Sequence, residues 1–528
     1  MFLIMSSAYV EQELKSEFGQ IPPSFLPLGN RRLFQHQVKL APKNSKVYIS
    51  VPEKYQISAT DMKWLDSNNV YIIRVPEELS LGAALITVLN LIYDEIDKPL
   101  HVLFGDTLIT SLPDGEDIVA ISEVTDSYNW SVVTDDNMNW FNNSSSKLSI
   151  NKNNVVSGYF RFSQPRQLVK CITQSRWDFL ESLNRYHADC GLTSIKIDDW
   201  LDFGHVKTYY RSKVSFTTQR AFNELVITPN LIEKSSSNNR KVEAEANWFE
   251  SLPPIMRGFT PQYLGAEKTN SKFTYRLEYL HQTALNELFV FGELPTIIWR
   301  RILTSCLDFL DACTEFEAPK DAICNDLDDL FGVKTLQRLS HYCLSERIDL
   351  DKNWNFNNQF SASLSDVLAK SNMYLPRERV KKAILHGDFC FSNILYDFRT
   401  SRIKVIDPRG ITQNGELSIY GDIRYDIAKL SHSVLGLYDC IIAGYYSLNV
   451  DNYMLNFEVH NVPNYQETQE LFFELIRKSY GLSALNLYAM QIQLFLSMLP
   501  LHGDDPQRQV ALMANAFRIY HLMKRLEE

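Results

Sequence analysis

Two carboxylates and an amide at fixed spacing constrain this chain more than any other feature. The segment Leu385-His386-Gly387-Asp388-Phe389-Cys390-Phe391-Ser392-Asn393-Ile394-Leu395 places Asp388 five positions ahead of the Asn393 amide, which stands just before a strand-forming run. A second such run, Lys404-Val405-Ile406, ends at Asp407. Folded as a hairpin, the runs bring Asp388, Asn393 and Asp407 together as hard oxygen donors suited to a metal and phosphates. Asp and Asn also make turns on their own, but turns do not require this ordered set.

The rest of the chain must build a scaffold for that site. At 528 residues it exceeds one ordinary core and predicts about two to four domains. A net charge of −10 excludes a nucleic-acid-binding surface, which needs clustered Lys and Arg, so a small-molecule substrate is expected. The eight cysteines form no C-x-x-C pair and no zinc-spaced cluster, which predicts reduced thiols in a cytoplasmic protein. Met1-Phe2-Leu3-Ile4-Met5-Ser6-Ser7 lacks the basic flank and the length of a signal peptide. Apolar runs stay below about 18 residues, so no membrane insertion is expected.

Up to residue 213, short β-rich runs alternate with helical stretches. Val47–Val51, Val70–Arg74 and Leu100–Phe104 read as strands and Gly82–Ile92 as a helix. This alternation predicts an α/β, Rossmann-like domain over 1–213 with a mainly parallel sheet, whose ligands bind beyond the strands' carboxyl ends. The turn-forming Ser235–Arg240, flanked by strand-like Phe222–Thr228 and Phe273–Tyr279, predicts a small mixed sheet opening near residue 214. From Leu294 the pattern is mostly helical, with Trp299, Ile302, Leu303, Cys306, Leu307 and Leu310 on one face. Residues 214–528 are therefore expected to form a two-lobed α+β domain, divided near 292/293.

Phosphoryl transfer needs a metal on the phosphates, cations to offset charge and a carboxylate to orient the attacking hydroxyl. The spacing H-x-D-x-x-x-x-N followed by I-D-x-x-G resembles the aminoglycoside phosphotransferase and choline kinase family of kinase-like folds. The resemblance implies Asp388 as catalytic base, Asn393 and Asp407 as Mg²⁺ ligands, ATP as phosphoryl donor and His386 as a brace of the catalytic loop. Gly421-Asp422-Ile423-Arg424-Tyr425-Asp426-Ile427-Ala428 resembles that family's G-D-x-x-Y-D-x-A helix, with Asp422 and Asp426 supporting the loop from below.

Such a kinase also needs a lysine held by a helix carboxylate. Lys234 ends an apolar run, and on the following helix Glu245 lies at the edge of the Val242, Ala246 and Phe249 stripe while Glu243 points away. Glu245 is therefore the expected partner. Glu278-Tyr279-Leu280 occupies the place of a hinge whose backbone, at Glu278 and Leu280, would bind adenine. The lack of G-x-G-x-x-G in this lobe fits the small-molecule branch.

The first half carries its own pattern. Phe104-Gly105-Asp106-Thr107-Leu108 ends a strand, and Trp200-Leu201-Asp202-Phe203-Gly204 offers a second aspartate. With Phe25–Phe34 and Ser80–Leu85, their order resembles the sugar nucleotidyltransferases, which join a sugar phosphate or phospho-alcohol to an NTP (CTP, UTP, GTP or dTTP) and release pyrophosphate. The resemblance implies a metal pair of Asp106 and Asp202, the nucleotide base against the backbone near Gly82, and Ser157–Phe160 as the substrate-side strand. The chain departs from it where Met5–Tyr9 lacks the glycine-rich loop and Pro22-Pro23-Ser24 lacks a lysine. Each lost charge-assisted bond removes about 1.5–3 kcal/mol. Arg31, Arg32 or Lys147 could substitute; otherwise the domain is a sugar-nucleotide-binding relative or a related glycosyltransferase. The fused pair resembles bacterial bifunctional proteins that prepare activated sugars or alcohols for capsule or other surface polysaccharide.

Overall fold

The computed structural model describes residues 1–92, 96–124, 131–133, 140–143, 153–220, 225–228, 230–236, 239–269, 272–324, 326–378, 381–460 and 464–528. The chain divides into two compact units, Met1–Thr217 and Thr218–Glu528. The expected boundary at 213/214 falls inside the helix Val206–Arg220. Residues 214–220 therefore continue a helix instead of opening a sheet, because Tyr209, Tyr210, Val214 and Phe216 bury its apolar side.

The first unit is built on one sheet. Val70–Val75, Val47–Pro52, Phe2–Met5 and Leu100–Phe104 lie side by side and parallel, followed by Asn153–Phe162, Ile118–Val124 and Thr193–Lys196. Asn153–Phe162 runs antiparallel to both neighbours, so the sheet is mixed. Phe2–Met5 and Val47–Pro52 are buried throughout, which is why both read as nearly continuous apolar runs. The helix Leu81–Leu91 sits within a residue of its expected bounds, its start fixed by the Ser80 side chain accepting the Ala83 N–H. A short antiparallel pair, Thr107–Leu108 with Leu201–Asp202, brings the two distant aspartate segments together.

The second unit opens with a four-stranded sheet in the order Leu225–Ile227, Leu231–Ser236, Lys272–Glu278, Tyr263–Thr269. Every pairing in it is antiparallel, which corrects the mixed sheet expected from sequence. Helix Asn239–Ser251 packs on this sheet, and its buried Trp248 donates its indole N–H to the Leu385 carbonyl at 2.8 Å. The remainder is mainly helical around the hairpin Ile394–Asp397 and Arg402–Val405. Helix Ala484–Met498 with the turn after it, Ala484–His502, is the one stretch among the described residues long and apolar enough to cross a membrane. Two of its side chains are buried amides with partners: Gln491 donates to the Ala428 carbonyl at 2.9 Å and Gln493 to Ser371 Oγ at 2.7 Å. The stretch is 67% buried, as a core helix is.

Gly82, in the first turn of Leu81–Leu91, is decided by packing. A Cβ there would lie 2.3 Å from the Trp177 carbonyl oxygen, a backbone atom that cannot swing away. Gly→Ala in a helix usually stabilises by up to about 1 kcal/mol; here the clash outweighs that gain. Gly82→Ala is expected to destabilise the protein by about 1–2 kcal/mol in urea unfolding, and a stabilised variant would refute this packing.

Candidate functional site

In the second unit, the hairpin sets the spacing of the polar groups. The turn Phe391–Asn393 feeds strand Ile394–Asp397, and the Ile406 N–H returns to the Asn393 carbonyl at 3.0 Å, so Asn393 and Asp407 end up at the same edge. Asn393 Nδ2 donates to the Asp388 carbonyl at 2.9 Å and to Asp388 Oδ2 at 3.1 Å. Lys234 Nζ lies 2.7 Å from Glu245 Oε2 and 3.2 Å from Asp407 Oδ1. The structure thus brings Lys234, Glu245 and Asp407 into one chain of ion pairs, with Asn393 linking Asp388 to the same hairpin. Glu243 pairs instead with Arg240 at 3.7 Å.

Burial works against the Lys234 charge, but Asp407 and Glu245 outweigh it and hold its pKa above the ordinary lysine value. Burial raises the Glu245 carboxyl against the pull of Lys234, and the Tyr275 hydroxyl donates to it at 2.8 Å. Asp407 takes a left-handed backbone, φ 55°, a conformation uncommon outside glycine but one that Asp and Asn tolerate.

His386 braces the loop. It is fully buried, its Nε2 sits 3.0 Å from the Ile406 carbonyl, and its Nδ1 accepts the Asp388 N–H at 3.3 Å. Burial pushes its pKa down to about 4, so the ring is neutral with the proton on Nε2. Asp426 accepts the His386 and Gly387 N–H groups at 2.6 and 2.8 Å. Asp422 acts elsewhere: it caps its helix through the Arg424 N–H and grips the Arg424 guanidinium, which in turn donates to the Pro376 and Glu378 carbonyls. At the hinge, the Glu278 N–H is spent on the Gln262 carbonyl at 2.9 Å, so Glu278 cannot offer that donor to a base. The Leu280 carbonyl accepts from Gln282, which leaves the Leu280 N–H as the candidate adenine donor.

Sequence reasoning missed Lys429. Its Nζ lies 2.8 Å from Asp388 Oδ1. Burial alone would raise the Asp388 carboxyl, but the Lys429 charge and hydrogen bond outweigh it and hold the pKa at about 2. The signal was present: Lys429 stands one helical turn after Asp426 and so shares its face.

In the first unit, a cavity of about 760 Å³ opens beyond the carboxyl end of strand Leu100–Phe104, lined by both Asp106 and Asp202. Burial first, then the Asp202 charge, push the Asp106 carboxyl up to about 7. Asp202 Oδ2 is buried beyond hydrogen-bond distance of any partner, with His205 Nδ1 facing it at 3.8 Å. A Cβ on Gly204 would come within 2.9 Å of Asp106 Oδ2 and 3.3 Å of Asp202 Oδ1, so only glycine leaves the carboxylates open. Two mutually repelling carboxylates with an orphaned oxygen fit a divalent cation. Among the described residues no group of three His, Cys, Asp or Glu is placed to hold a metal. The pair would therefore share an ion with phosphate oxygens and water.

The other expected contributors behave differently. Gly82 itself is not in the cavity lining, but its neighbours Ser80 and Leu81 are; Gly82 lets the Trp177 carbonyl approach its helix, and Trp177 forms part of the wall. Arg32 is buried, with Nε 3.1 Å from Asp61 Oδ2 and a guanidinium N–H on the Phe25 carbonyl, so it is no phosphate ligand. Arg31 is exposed and absent from the lining. Lys147 lies outside the described residues. Where a glycine-rich loop would run, Ser6 is locked down, accepting the Ser24 N–H and donating its own N–H to Ser50 Oγ, both at 3.0 Å. Glu11, Asp178, Trp200 and His205 line the cavity and were not foreseen. Among the described residues, the lining contains no lysine or arginine.

No family model matches the chain and no curated protein matches it. Solved structures similar to it include an aminoglycoside-3'-phosphotransferase of type VIII, at 14% identity and TM-score 0.31, over 49% of this chain and 83% of that one. A putative glucose-1-phosphate thymidylyltransferase from Bacillus anthracis is similar at 15% identity and TM-score 0.33, over 42% of this chain and 96% of that one. An inositol-1-phosphate CTP transferase from T. maritima is similar at 16% identity and TM-score 0.31, over 41% and 95%.

The carboxylate pair yields a direct test. Gly204→Ala is expected to weaken Mn²⁺ binding to the first unit by roughly tenfold or more, read by electron paramagnetic resonance on the full chain in an Asp407→Asn background that removes the other metal position. Unchanged Mn²⁺ affinity would show that Asp106 and Asp202 do not form the site.

Proposed function

We propose that the chain is a bifunctional, Mg²⁺-dependent transferase that phosphorylates a small hydroxyl-bearing metabolite, a sugar or amino alcohol, with ATP and joins a phosphorylated metabolite to a nucleotide. The observation that carries the kinase half is Lys234 held between Glu245 and Asp407, with Asn393 tying Asp388 to the same hairpin. Lys234 binds the ATP phosphates, and the Leu280 N–H meets the adenine. Asn393 and Asp407 would hold Mg²⁺, which supplies charge neutralisation on the phosphates.

Asp388 orients the acceptor hydroxyl in line with the γ-phosphorus. The oxygen–phosphorus bond to the acceptor forms as the bond to the ADP oxygen breaks, and the hydroxyl proton passes to the Asp388 carboxylate. A pKa of about 2 makes Asp388 a weak base. That suits a loose transition state, in which the proton leaves late.

For the first unit, Asp106 and Asp202 would hold the metal while a phosphate oxygen of the substrate attacks the α-phosphorus of an NTP and pyrophosphate departs. The product would be an NDP-sugar or CDP-alcohol; its use in surface polysaccharide, and a cytoplasmic setting, rest on the sequence resemblance. Among the described residues the cavity lining holds no lysine or arginine, which favours a second reading, a domain that binds a nucleotide-sugar without transfer. Pyrophosphate release during incubation with each NTP and a panel of sugar phosphates separates the two: release supports transfer, and binding without release supports the second reading.

Two variants test the kinase half. Asp388→Asn is expected to lower kcat by roughly a hundred- to ten-thousand-fold, measured as acceptor-dependent ADP formation; an unaffected rate would remove Asp388 from the mechanism. Lys429→Met removes the charge that holds the Asp388 carboxyl down, so burial dominates and its pKa rises. The acid limb of the kcat/KM profile is then expected at higher pH than in the wild type, and an unmoved limb would refute the Lys429 role.

A further inference from the structure

Trp177 is the one tryptophan among the described residues that stands exposed: 43% of its surface is open, and it lines the cavity of the first unit. An aromatic side chain of this size normally goes into a core. Other aromatics of the lining do so. Phe179 is buried, with its ring centre 5.6 Å from that of Phe160 and 6.1 Å from that of Phe104. Among the described residues no aromatic ring stacks on Trp177 and no cation covers it.

The backbone holds the indole in place. Trp177 takes φ 70° and Arg176 before it φ 52°, left-handed conformations that bulky side chains rarely adopt. The Trp177 N–H donates to the Ile172 carbonyl at 3.0 Å, and its own carbonyl accepts from Ser80 Oγ at 3.2 Å. Gly82 admits that carbonyl to helix Leu81–Leu91, where a Cβ would lie 2.3 Å from it. Both backbone groups are thus spent, and what Trp177 offers the cavity is its side chain. A strained turn, held from two sides so that a large ring stays out of the core, points to a ligand.

The polar groups beside the ring select the part of the ligand. Ser80 and Leu81 also line the cavity. Ser80 Oγ is occupied by the Trp177 carbonyl and by the Ala83 N–H, which it accepts at 3.3 Å. The Leu81 N–H, in the first turn of its helix, has no acceptor among the described residues and is open to a ligand oxygen or ring nitrogen. Asp178 Oδ1 caps its own helix by accepting the Glu181 N–H at 2.9 Å. A phosphate would find no lysine or arginine in the described lining, and an ammonium would face the positive end of helix Leu81–Leu91. A flat, uncharged ring with acceptors on its edge matches both the indole face and the free N–H. A nucleobase has that form, and stacking suits it whichever base it is.

We propose that Trp177 is the platform on which the nucleobase stacks, with the Leu81 N–H at the edge of the base. The proposal rests on reading the first unit as a nucleotide-binding domain, and it holds whether that domain transfers the nucleotide or only binds it. Because the turn fixes the indole beforehand, little ordering of Trp177 is left to oppose binding.

The test uses the full chain in a Lys234→Met background, which removes the phosphate-binding cation of the second unit. CTP, UTP, GTP, dTTP and UDP-glucose are titrated with Mg²⁺, by calorimetry and by tryptophan fluorescence. Tripolyphosphate, glucose 1-phosphate and glucosamine 1-phosphate are the probes that lack a base. The tightest nucleotide is expected to quench the fluorescence. Trp177→Ala is expected to remove that quench and weaken the nucleotide by roughly ten- to a hundredfold, with Trp177→Phe keeping most of the affinity and tripolyphosphate binding unchanged. Unchanged nucleotide affinity in Trp177→Ala overturns the platform and leaves the nucleotide-binding reading standing. A loss shared equally by tripolyphosphate assigns Trp177 to the shape of the cavity, and a loss confined to either sugar phosphate assigns it to the other substrate; both overturn the platform. If none of the five nucleotides binds, the nucleotide-binding reading itself fails, and the platform with it.

Discussion

The Asp426 carboxylate organises the catalytic end of the second unit. It is fully buried, an arrangement that costs several kcal/mol unless its oxygens are satisfied. The N–H groups of His386 and Gly387 satisfy them, one on each oxygen. Those two bonds fix the loop: Gly387 takes φ 81°, the His386 ring meets the Ile406 carbonyl through Nε2, and its Nδ1 accepts the Asp388 N–H. The hairpin then follows, because the strand position that receives His386 also precedes Asp407. One buried acid thus determines where three functional side chains stand, although it touches none of them.

The sequence made that end of the molecule legible because its chemistry is local. Asp388, Asn393 and Asp407 lie on one loop and one hairpin, and Glu245 was separated from Glu243 by helical periodicity alone. The Lys429–Asp388 pair was harder to read, since its members come from a helix and a loop whose meeting depends on tertiary packing. Arg32 misled for the same reason: beside Arg31 it reads as a surface basic pair, yet Asp61 draws it into the core. The sheet expected to open near residue 214 starts instead at Leu225, because the helix Val206–Arg220 carries on through that point. The strand-forming run at Val47 succeeded because a buried parallel strand leaves little choice but continuous apolar sequence, whereas Val70–Val75, at the sheet edge and buried only at its ends, was legible through its β-branched and aromatic residues.

The two units meet the same electrostatic demand in opposite ways. Phosphate chemistry requires positive charge near developing negative charge. In the second unit that charge is built into the protein: Lys234 is held by two carboxylates, and Lys429 is paired with Asp388 at 2.8 Å. The cost of assembling them is met at folding, so little reorganisation remains when substrate arrives.

In the first unit the described lining offers Asp106, Asp202, Glu11 and Asp178, with His205 its one titratable cation. A nucleotide entering that cavity meets net negative charge. The orphaned Asp202 oxygen and the space kept by Gly204 show where compensation belongs, between the carboxylates. On the proposed reading, nucleotide and divalent cation would be linked: each would lower the electrostatic cost of the other, and by reciprocity the metal would bind more tightly with nucleotide than alone. The same carboxylate chemistry that in one unit is balanced by fixed lysines is left, in the other, for the ligand and its metal to balance.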